Sequence, residues 1–418
     1  MMFRKLLTFE DAQRAVQKQF KPKPLGTEQV PLLEAVDRVL AEDTRALLDI
    51  PPFNRSTVDG FAVTAEDTFG AQENKPVALK ICGVINIGET PKPKVGHGKA
   101  AEIVTGAPIP QGADAVVMVE NTERKKDNLF IFSPVAKDEN IMKAGTDIKK
   151  GEKVLKTGQI LGSTEIGVLS ALGISKVKVY TIPRVAVLST GPELTEPGML
   201  LASAKIYDIN AYSLSTAVLE SGGKPLCLGV FPDSLTELCK ALRRALASAD
   251  MVVTSGGVSV GPKDIVPKAL DSLGKPSVIV CGIAIKPGKP TTVALINGKL
   301  VVALPGHPTS ALLVFNLLVR PIIRRLGARN TDEDQTVEAS AASRMFTAKG
   351  RQTFVMVKLK YDKANRLVAE PIPSGASGAI TTLARADGFV EIAGNIQFID
   401  KGEAVDVHLF RKCKKGMR

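Results

Sequence analysis

Apolar residues recur every three to four positions from Leu7 to Lys18, the spacing of a helix with one buried stripe. A second helix is expected across Val30 to Leu40. From Pro51 to about Lys150 the texture changes to short β-prone runs at Pro76–Ile85, Ala101–Val104, Ala115–Val119 and Asn128–Phe132. Gly, Pro, Asn and Asp turns separate these runs, which predicts an all-β module. A short helix is expected around Thr164–Leu172. Val185-Ala186-Val187-Leu188 then begins an alternation of continuous apolar runs and helical patterns. The expected strands are Val185–Leu188, Leu226–Val230, Met251–Thr254 and Ser277–Ile283, with a hairpin across Asn297-Gly298. The expected helices are Asn210–Ser221, Leu235–Ser248, Ile265–Leu273 and Thr309–Leu326. Such alternation predicts a doubly wound, mostly parallel α/β core. Beyond Gly327 the pattern returns to strands: Phe354–Leu359, Leu367–Ile372, Gly388–Ile392 and Ala404–His408.

Composition narrows the function classes. The chain has 418 residues and a net charge of +12, which favours anionic partners. It carries no Trp and only 19 Phe and Tyr in total (15 and 4), a poor stock for stacking single-stranded nucleic acid. The positive charge is dispersed, its one compact cluster being Arg411-Lys412-Cys413-Lys414-Lys415. No specific nucleic-acid partner is expected. Five cysteines without CxxC spacing and three histidines argue against a zinc site, leaving a hard cation on oxygen ligands as the expected metal. No apolar run approaches the roughly 18 residues of a membrane span, and no signal core leads the chain. A soluble, cytoplasmic protein with no membrane partner is the expectation.

In the α/β region the unusual residues follow strands: Ser189-Thr190-Gly191-Pro192-Glu193, Asp208 with Asn210, and Ser255-Gly256-Gly257-Val258-Ser259-Val260-Gly261. Lys286-Pro287-Gly288-Lys289-Pro290 and Pro305-Gly306-His307-Pro308-Thr309-Ser310 continue the series. Loops at the carboxyl ends of parallel strands converge on one crevice. Glycines let backbone N–H groups approach an anion, aided by a helix N-terminus. The adjacent Gly256 and Gly257 break the dinucleotide fingerprint, and a P-loop fails at Pro290. Lys286 and Lys289, on a proline-stiffened turn, make most sense with an anion between them. His307 is read as a turn cap, not as a catalytic residue. Two polar loops in the β module, Pro51–Val63 and Thr105–Asp114, are not decisive by spacing.

In order along the chain, however, these segments resemble the molybdopterin molybdenumtransferase family, which includes the E domain of gephyrin. The motifs are Pro-x-Phe-x-x-Ser-x-x-Asp-Gly-x-Ala-Val, Thr-Gly-Ala-Pro-x-Pro-x-Gly-x-Asp-Ala-Val, Ser-Thr-Gly-x-Glu-Leu, Ser-Gly-Gly-Val-Ser-Val-Gly, Lys-Pro-Gly-Lys-Pro and Leu-Pro-Gly-x-Pro. The resemblance implies a multidomain α/β protein. Its core of the molybdopterin-binding type would span 1–26 and 181–328, and a split elongated domain 27–50 and 141–180. An inserted β domain would span 51–140, and a C-terminal β barrel 329–418.

The resemblance further implies insertion of molybdate, or tungstate, into adenylylated molybdopterin, with magnesium, releasing AMP. It implies a homodimer with sites shared between subunits, and as partners the molybdopterin adenylyltransferase and acceptor molybdoenzymes. Carried over by motif, the catalytic residues are Asp59, Thr105, Asp147, Glu193, Asp250, Lys286 and Lys289. Substrate contacts fall on Ser189, Thr190, Gly191, Asp208, Asn210, Ser255, Gly256, Gly257, Ser259, Gly261, Gly288, Pro305, Gly306, Ser310 and Arg351. The magnesium ligands would be Asp59, Glu193, Asp208 and Asp264. His307 and Met356 depart from the family pattern, standing where Asn and Arg are frequent. Rival readings are a tungstate-inserting homologue, the preceding adenylyl transfer, and a non-catalytic scaffold. The Asp59 segment and the split domain speak against the adenylyl-transfer reading.

Overall fold

The computed structural model describes residues 6–232, 234–258, 265–330, 336–373 and 380–410. The chain separates into two compact units, one of residues 1–28, 37–39 and 178–418, the other of 29–36 and 40–177.

The larger unit is built on a six-stranded sheet in the order Lys224–Phe231, Arg184–Thr190, Met251–Ser255, Lys299–Leu304, Thr292–Ile296, Pro276–Cys281. Its first four strands are parallel, and Thr292–Ile296 is antiparallel to both of its neighbours. Asn297 (φ 50°) and Gly298 (φ 78°) make the expected hairpin turn. Alternate residues of each strand serve opposite faces. Val185, Val187, Met251 and Val253 meet Leu214, Val218, Leu313 and Phe315 on one side. Ala186, Leu188 and Val252 meet Leu238, Leu242, Val266 and Leu270 on the other. Burial on both faces is why these strands read as continuous apolar runs.

The helices Asn210–Glu220, Leu235–Ser248 and Ile265–Leu273 form where expected. The last long helix runs through residues 308–326 with a wide π turn at Phe315–Val319 just before Pro321. Proline has no N–H to give the preceding turn, and the wider turn accommodates that loss.

The C-terminal strands close into a barrel. Gln352–Tyr361, Leu367–Pro371, Thr336–Ala341, Ala404–Leu409 and Gly388–Ile392 pair in turn, and Gly388–Ile392 returns to Gln352–Tyr361. Phe354, Met356 and Phe389 join the α/β core's own apolar cluster. Met356, which stands where the family often has Arg, is therefore core. The two-residue strand Ile285–Lys286 adds to the barrel, parallel to Gln352 and Thr353.

The smaller unit holds a second six-stranded sheet, ordered Ala115–Met118, Gly60–Val63, Lys99–Ile103, Val77–Ile85, Asn128–Ile131, Thr122–Lys125. Phe61, Val63, Leu79, Val117 and Leu129 fill one side, and Ala62, Ile85, Ile103 and Val116 the other. A helix at Ser163–Ala171 matches its expectation. The helix expected across Val30 to Leu40 does not form. A strand, Thr27–Pro31, is followed by a single 3-10 turn at Leu32–Ala35, and Asp37 takes a positive φ of 61°. Pro31 disfavours helical backbone at Val30 before it, and a residue at positive φ ends any right-handed helix.

Among the described residues no helix is long and apolar enough to cross a membrane.

Candidate functional site

The switch point of the α/β sheet lies between Arg184–Thr190 and Met251–Ser255. The strand after the first goes to one side of it and the strand after that to the other. Open α/β sheets bind ligands at such a place, beyond the carboxyl ends of the strands. There a cleft of about 590 Å³ is lined by Thr190, Gly191, Glu193, Asp208, Asn210, Gly256, Gly257, Lys289, Pro305 and Gly306, with Leu194, Ile206, Tyr207, Ile209, Val258, Pro290, His307 and Pro308. Ten expected residues from five separate loops thus meet in one cavity.

Local chemistry explains the meeting. Gly256 has a φ of +92°, and a Cβ there would stand 2.0 Å from the carbonyl oxygen of Thr190. Only glycine lets the two strand ends approach that closely. Asp208 is 3% exposed. Its Oδ1 accepts the N–H of Ala211 at 3.1 Å, in the first turn of the helix that Asn210 opens. The Asn210 amide donates to Ser255 Oγ and to the Gly306 carbonyl, both at 2.7 Å, tying three loops together. Asp208 Oδ2, Asn210 Oδ1 and Ser189 Oγ are buried without a hydrogen-bond partner.

Other expected residues lie elsewhere. Ser189 and Ser255 are buried beneath the cleft, Ser255 holding Asn210 rather than lining the cavity. Gly288 packs inward, where a Cβ would meet Val314 and Ile285 at 2.6 and 2.8 Å. Ser310 is 4% exposed and lines neither this cleft nor the second cavity described below. Asp250 precedes the Met251–Ser255 strand and accepts the Arg184 N–H at 2.8 Å. It sits at the amino end of the sheet, roughly 16 Å of strand from the cleft, and the structure does not bring it to the site. Ser259, Gly261 and Asp264 lie outside the described residues. His307 occupies the residue before the 308–326 helix without a side-chain capping bond; it lines the cleft, which corrects its reading as a cap.

The two lysines part company. Lys289 lines the cleft, whereas Lys286 faces a second cavity of about 660 Å³ with Thr309, Arg344, Phe346, Thr353 and Met356. Pairing of Ile285–Lys286 with the barrel strand fixes that outward course. The expectation of one anion held between both is corrected accordingly. Arg344, bound to Asp400 at 2.5 Å and set over the Phe398 ring, was not visible as a site residue because no motif surrounds it. Arg351 is half-buried at the barrel edge and lines neither cavity.

In the smaller unit, Asp59 and Thr105 come together across 46 residues. Asp59 Oδ1 accepts the Thr105 N–H at 2.6 Å and its hydroxyl at 2.9 Å. Backbone bonds from Gly106 to Ser56 and from Ser56 to Ala107 lace the two loops together. At Gly60 a Cβ would fall 1.9 Å from the Val117 carbonyl oxygen, so glycine sets the turn that presents Asp59. Asp59 is exposed, and the Thr105 N–H and then its hydroxyl hold its carboxyl below the usual carboxylate range. Asp147 is also exposed, its N–H bonded to the Ile50 carbonyl.

Comparison with known proteins places this arrangement. The MoeA N-terminal region (domain I and II) matches residues 7–173, a probable molybdopterin binding domain 186–325, and the MoeA C-terminal region (domain IV) 338–410. The molybdopterin molybdenumtransferase of Haemophilus influenzae is 33% identical over 97% of this chain and 99% of its own. That of Bacillus subtilis is 34% identical over 92% and 90%. The chain belongs to the molybdopterin molybdenumtransferase family. The crystal structure of a molybdopterin biosynthesis MoeA protein from Pyrococcus horikoshii superposes with a TM-score of 0.83 at 43% identity, covering 97% of this chain and all of that one. Family membership accounts for the multidomain α/β plan and the closed barrel, and assigns the cleft region to the molybdopterin-binding domain.

Proposed function

We propose that the protein inserts molybdate into adenylylated molybdopterin, releasing AMP and the finished molybdenum cofactor. The observation that carries this reading is the cleft at the sheet's switch point, where a glycine-lined backbone and Lys289 offer an anion site. The Gly256 and Gly257 backbone, at φ +92° and +65°, turns into the cavity without a side chain in the way and receives phosphate oxygens. Lys289 neutralises charge on the pyrophosphate. Lys286, in the second cavity with Thr309, holds the incoming oxyanion. The charge-assisted contacts both lysines offer are roughly twice as strong as neutral ones.

Magnesium is the cation we propose for this reaction. Glu193 is an exposed carboxylate on the cleft, and the Thr105 N–H and hydroxyl hold the Asp59 carboxyl below the usual carboxylate range. Magnesium keeps several waters and takes one or two carboxylates plus phosphate oxygens; among the described residues no group of three or more Asp, Glu, His or Cys gathers at one place, so the proposed ligands are Glu193 on the cleft and Asp59 of the second copy. When bound it supplies Lewis-acid polarisation of the phosphoanhydride. Glu193 orients it from the cleft and Asp59 supplies a fixed negative charge.

A cytoplasmic homodimer belongs to the same proposal, with the Asp59 face of one copy completing the cleft of the other. The adenylyltransferase that makes the substrate and the molybdoenzymes that take the product are its proposed partners. The test is incubation of purified protein with adenylylated molybdopterin, magnesium and either molybdate or tungstate, following AMP. Oxyanion-dependent AMP release, abolished in a folded Asp59→Asn variant, is the expected result. Release that ignores the oxyanion, or full turnover by Asp59→Asn, overturns the proposal.

A further inference from the structure

The cleft at the switch point carries a histidine whose side chain the fold does not use. His307 is exposed and lines the cavity together with Lys289 and the Gly256–Gly257 backbone. Its carbonyl accepts the Ala311 N–H at 2.9 Å, so the main chain alone starts the 308–326 helix. The side chain makes no capping bond and has no hydrogen-bond or ion-pair partner among the described residues. The other two histidines are engaged: His97 pairs with Asp67, and His408 stacks on Phe389 with ring centroids 5.1 Å apart. The remaining charged or titratable side chains lining the cleft come from three segments. They are Glu193 after the Arg184–Thr190 strand, Tyr207 and Asp208 before the Asn210–Glu220 helix, and Lys289 of the Ile285–Pro290 turn. Carboxylates, phenols and ammonium groups ordinarily keep one charge state between about pH 5.5 and 8, whereas imidazole ordinarily changes its state there.

Resting on the function proposed above, we infer that His307 is a second cationic contact for the substrate's pyrophosphate, acting beside Lys289 when its imidazole is protonated. The neutral ring offers one N–H donor and one lone pair, and a lone pair turned towards a phosphate oxygen sets acceptor against acceptor. The protonated ring offers two N–H donors and a full charge, and charge-assisted bonds are roughly twice as strong as neutral ones. The cleft therefore holds a pyrophosphate more tightly below neutral pH than above it. Binding and protonation are linked, so a bound pyrophosphate draws the proton onto His307 by the same factor. An amide in this place, as the family often has, would donate hydrogen bonds without a charge. His307 makes the affinity of this chain's cleft depend on protons.

The experiment uses the full chain without magnesium and ADP-ribose as the probe, a pyrophosphate diester whose two phosphates stay ionised throughout this range. Only the protein then titrates. Wild-type protein should bind the probe at least about threefold more tightly at about pH 5.5 than at about pH 8. His307→Asn should bind it equally at both. His307→Lys, whose charge is permanent, should bind at both about as tightly as wild type does at the lower pH. With three histidines in the chain, each imidazole C–H resonance can be followed by NMR, that of His307 being the one lost in His307→Asn. Saturating ADP-ribose should raise the His307 titration midpoint by about half a pH unit, the counterpart of a threefold change in affinity. His97 and His408 should stay where they are. A midpoint that stays in place or falls overturns the inference in the wild type, without any variant having to fold. Failure to bind ADP-ribose at millimolar concentration, or a pH dependence that persists in His307→Asn, also overturns it. If the midpoint rises while oxyanion-dependent AMP release fails, the reaction proposed above falls and this contact stands. If release holds and the midpoint does not move, the contact alone falls.

Discussion

A single carboxylate shows how local bonding prepares a residue for its task. Two donors from one residue, the Thr105 N–H first and its hydroxyl second, lower the Asp59 pKa. A carboxyl whose folded pKa is depressed contributes its stabilisation above the unfolded pKa and loses it as pH falls through the folded value. In Thr105→Val the backbone N–H remains and the hydroxyl is gone, so the pKa should rise part of the way back towards its ordinary value. The acid limb of the pH–activity profile should therefore move to higher pH, with turnover near neutrality changed much less. A limb that stays in place, or moves to lower pH, means that Asp59 is not the group whose ionisation the reaction needs. This pairing was only half legible in the sequence. Both residues stood in motifs, but their contact depends on the lacing of Ser56 with Gly106 and Ala107, which no spacing announces.

At the scale of elements, the Ile285–Pro290 turn divides two neighbouring charges between two cavities. Lys286 pairs in register with Thr353 of the barrel, and Lys289 returns to the cleft. Lys286→Ala should raise half-saturation by molybdate about tenfold or more while AMP affinity is kept, and Lys289→Ala should do the reverse. Titrating both variants with both ligands checks the division, and identical profiles would return the lysines to a shared anion. The sequence suggested a shared anion because it sees two residues between them and not the strand that captures one.

The same distinction separates what was legible from what was not. Leu235–Ser248 and Ile265–Leu273 carry a helical stripe and formed at the expected bounds. Gly388–Ile392 did the same as a strand. Val30 to Leu40 has apolar residues but also Pro31 and a left-handed Asp37, and backbone constraints overrode pattern. Asp250 neighbours a glycine-rich motif in sequence yet stands at the opposite end of its strand, because five extended residues separate the two ends of the sheet. Motif proximity measures distance along the chain, and a strand converts that distance into length.

At the scale of the whole molecule, the proposed reaction divides its groups between the two compact units: Lys289 and the cleft belong to one, Asp59 and Thr105 to the other. If one active site draws on two copies, inactive variants should complement. Asp59→Asn chains and Lys289→Ala chains, assayed at substrate far below the raised half-saturation of Lys289→Ala so that each gives little activity alone, form heterodimers in which one site combines an intact cleft with an intact Asp59 and the other carries both defects. Random pairing at equal amounts makes about half of all dimers mixed, each with one working site of two, so about a quarter of wild-type AMP release should return. If both residues act within one subunit, every site in the mixture carries a defect and no activity returns. Dissociation and reassociation before the assay, with heterodimers verified by mass, makes the two outcomes distinct. Recovery that rises with mixing time and saturates near a quarter supports shared sites, and its absence in verified heterodimers confines the chemistry to single chains.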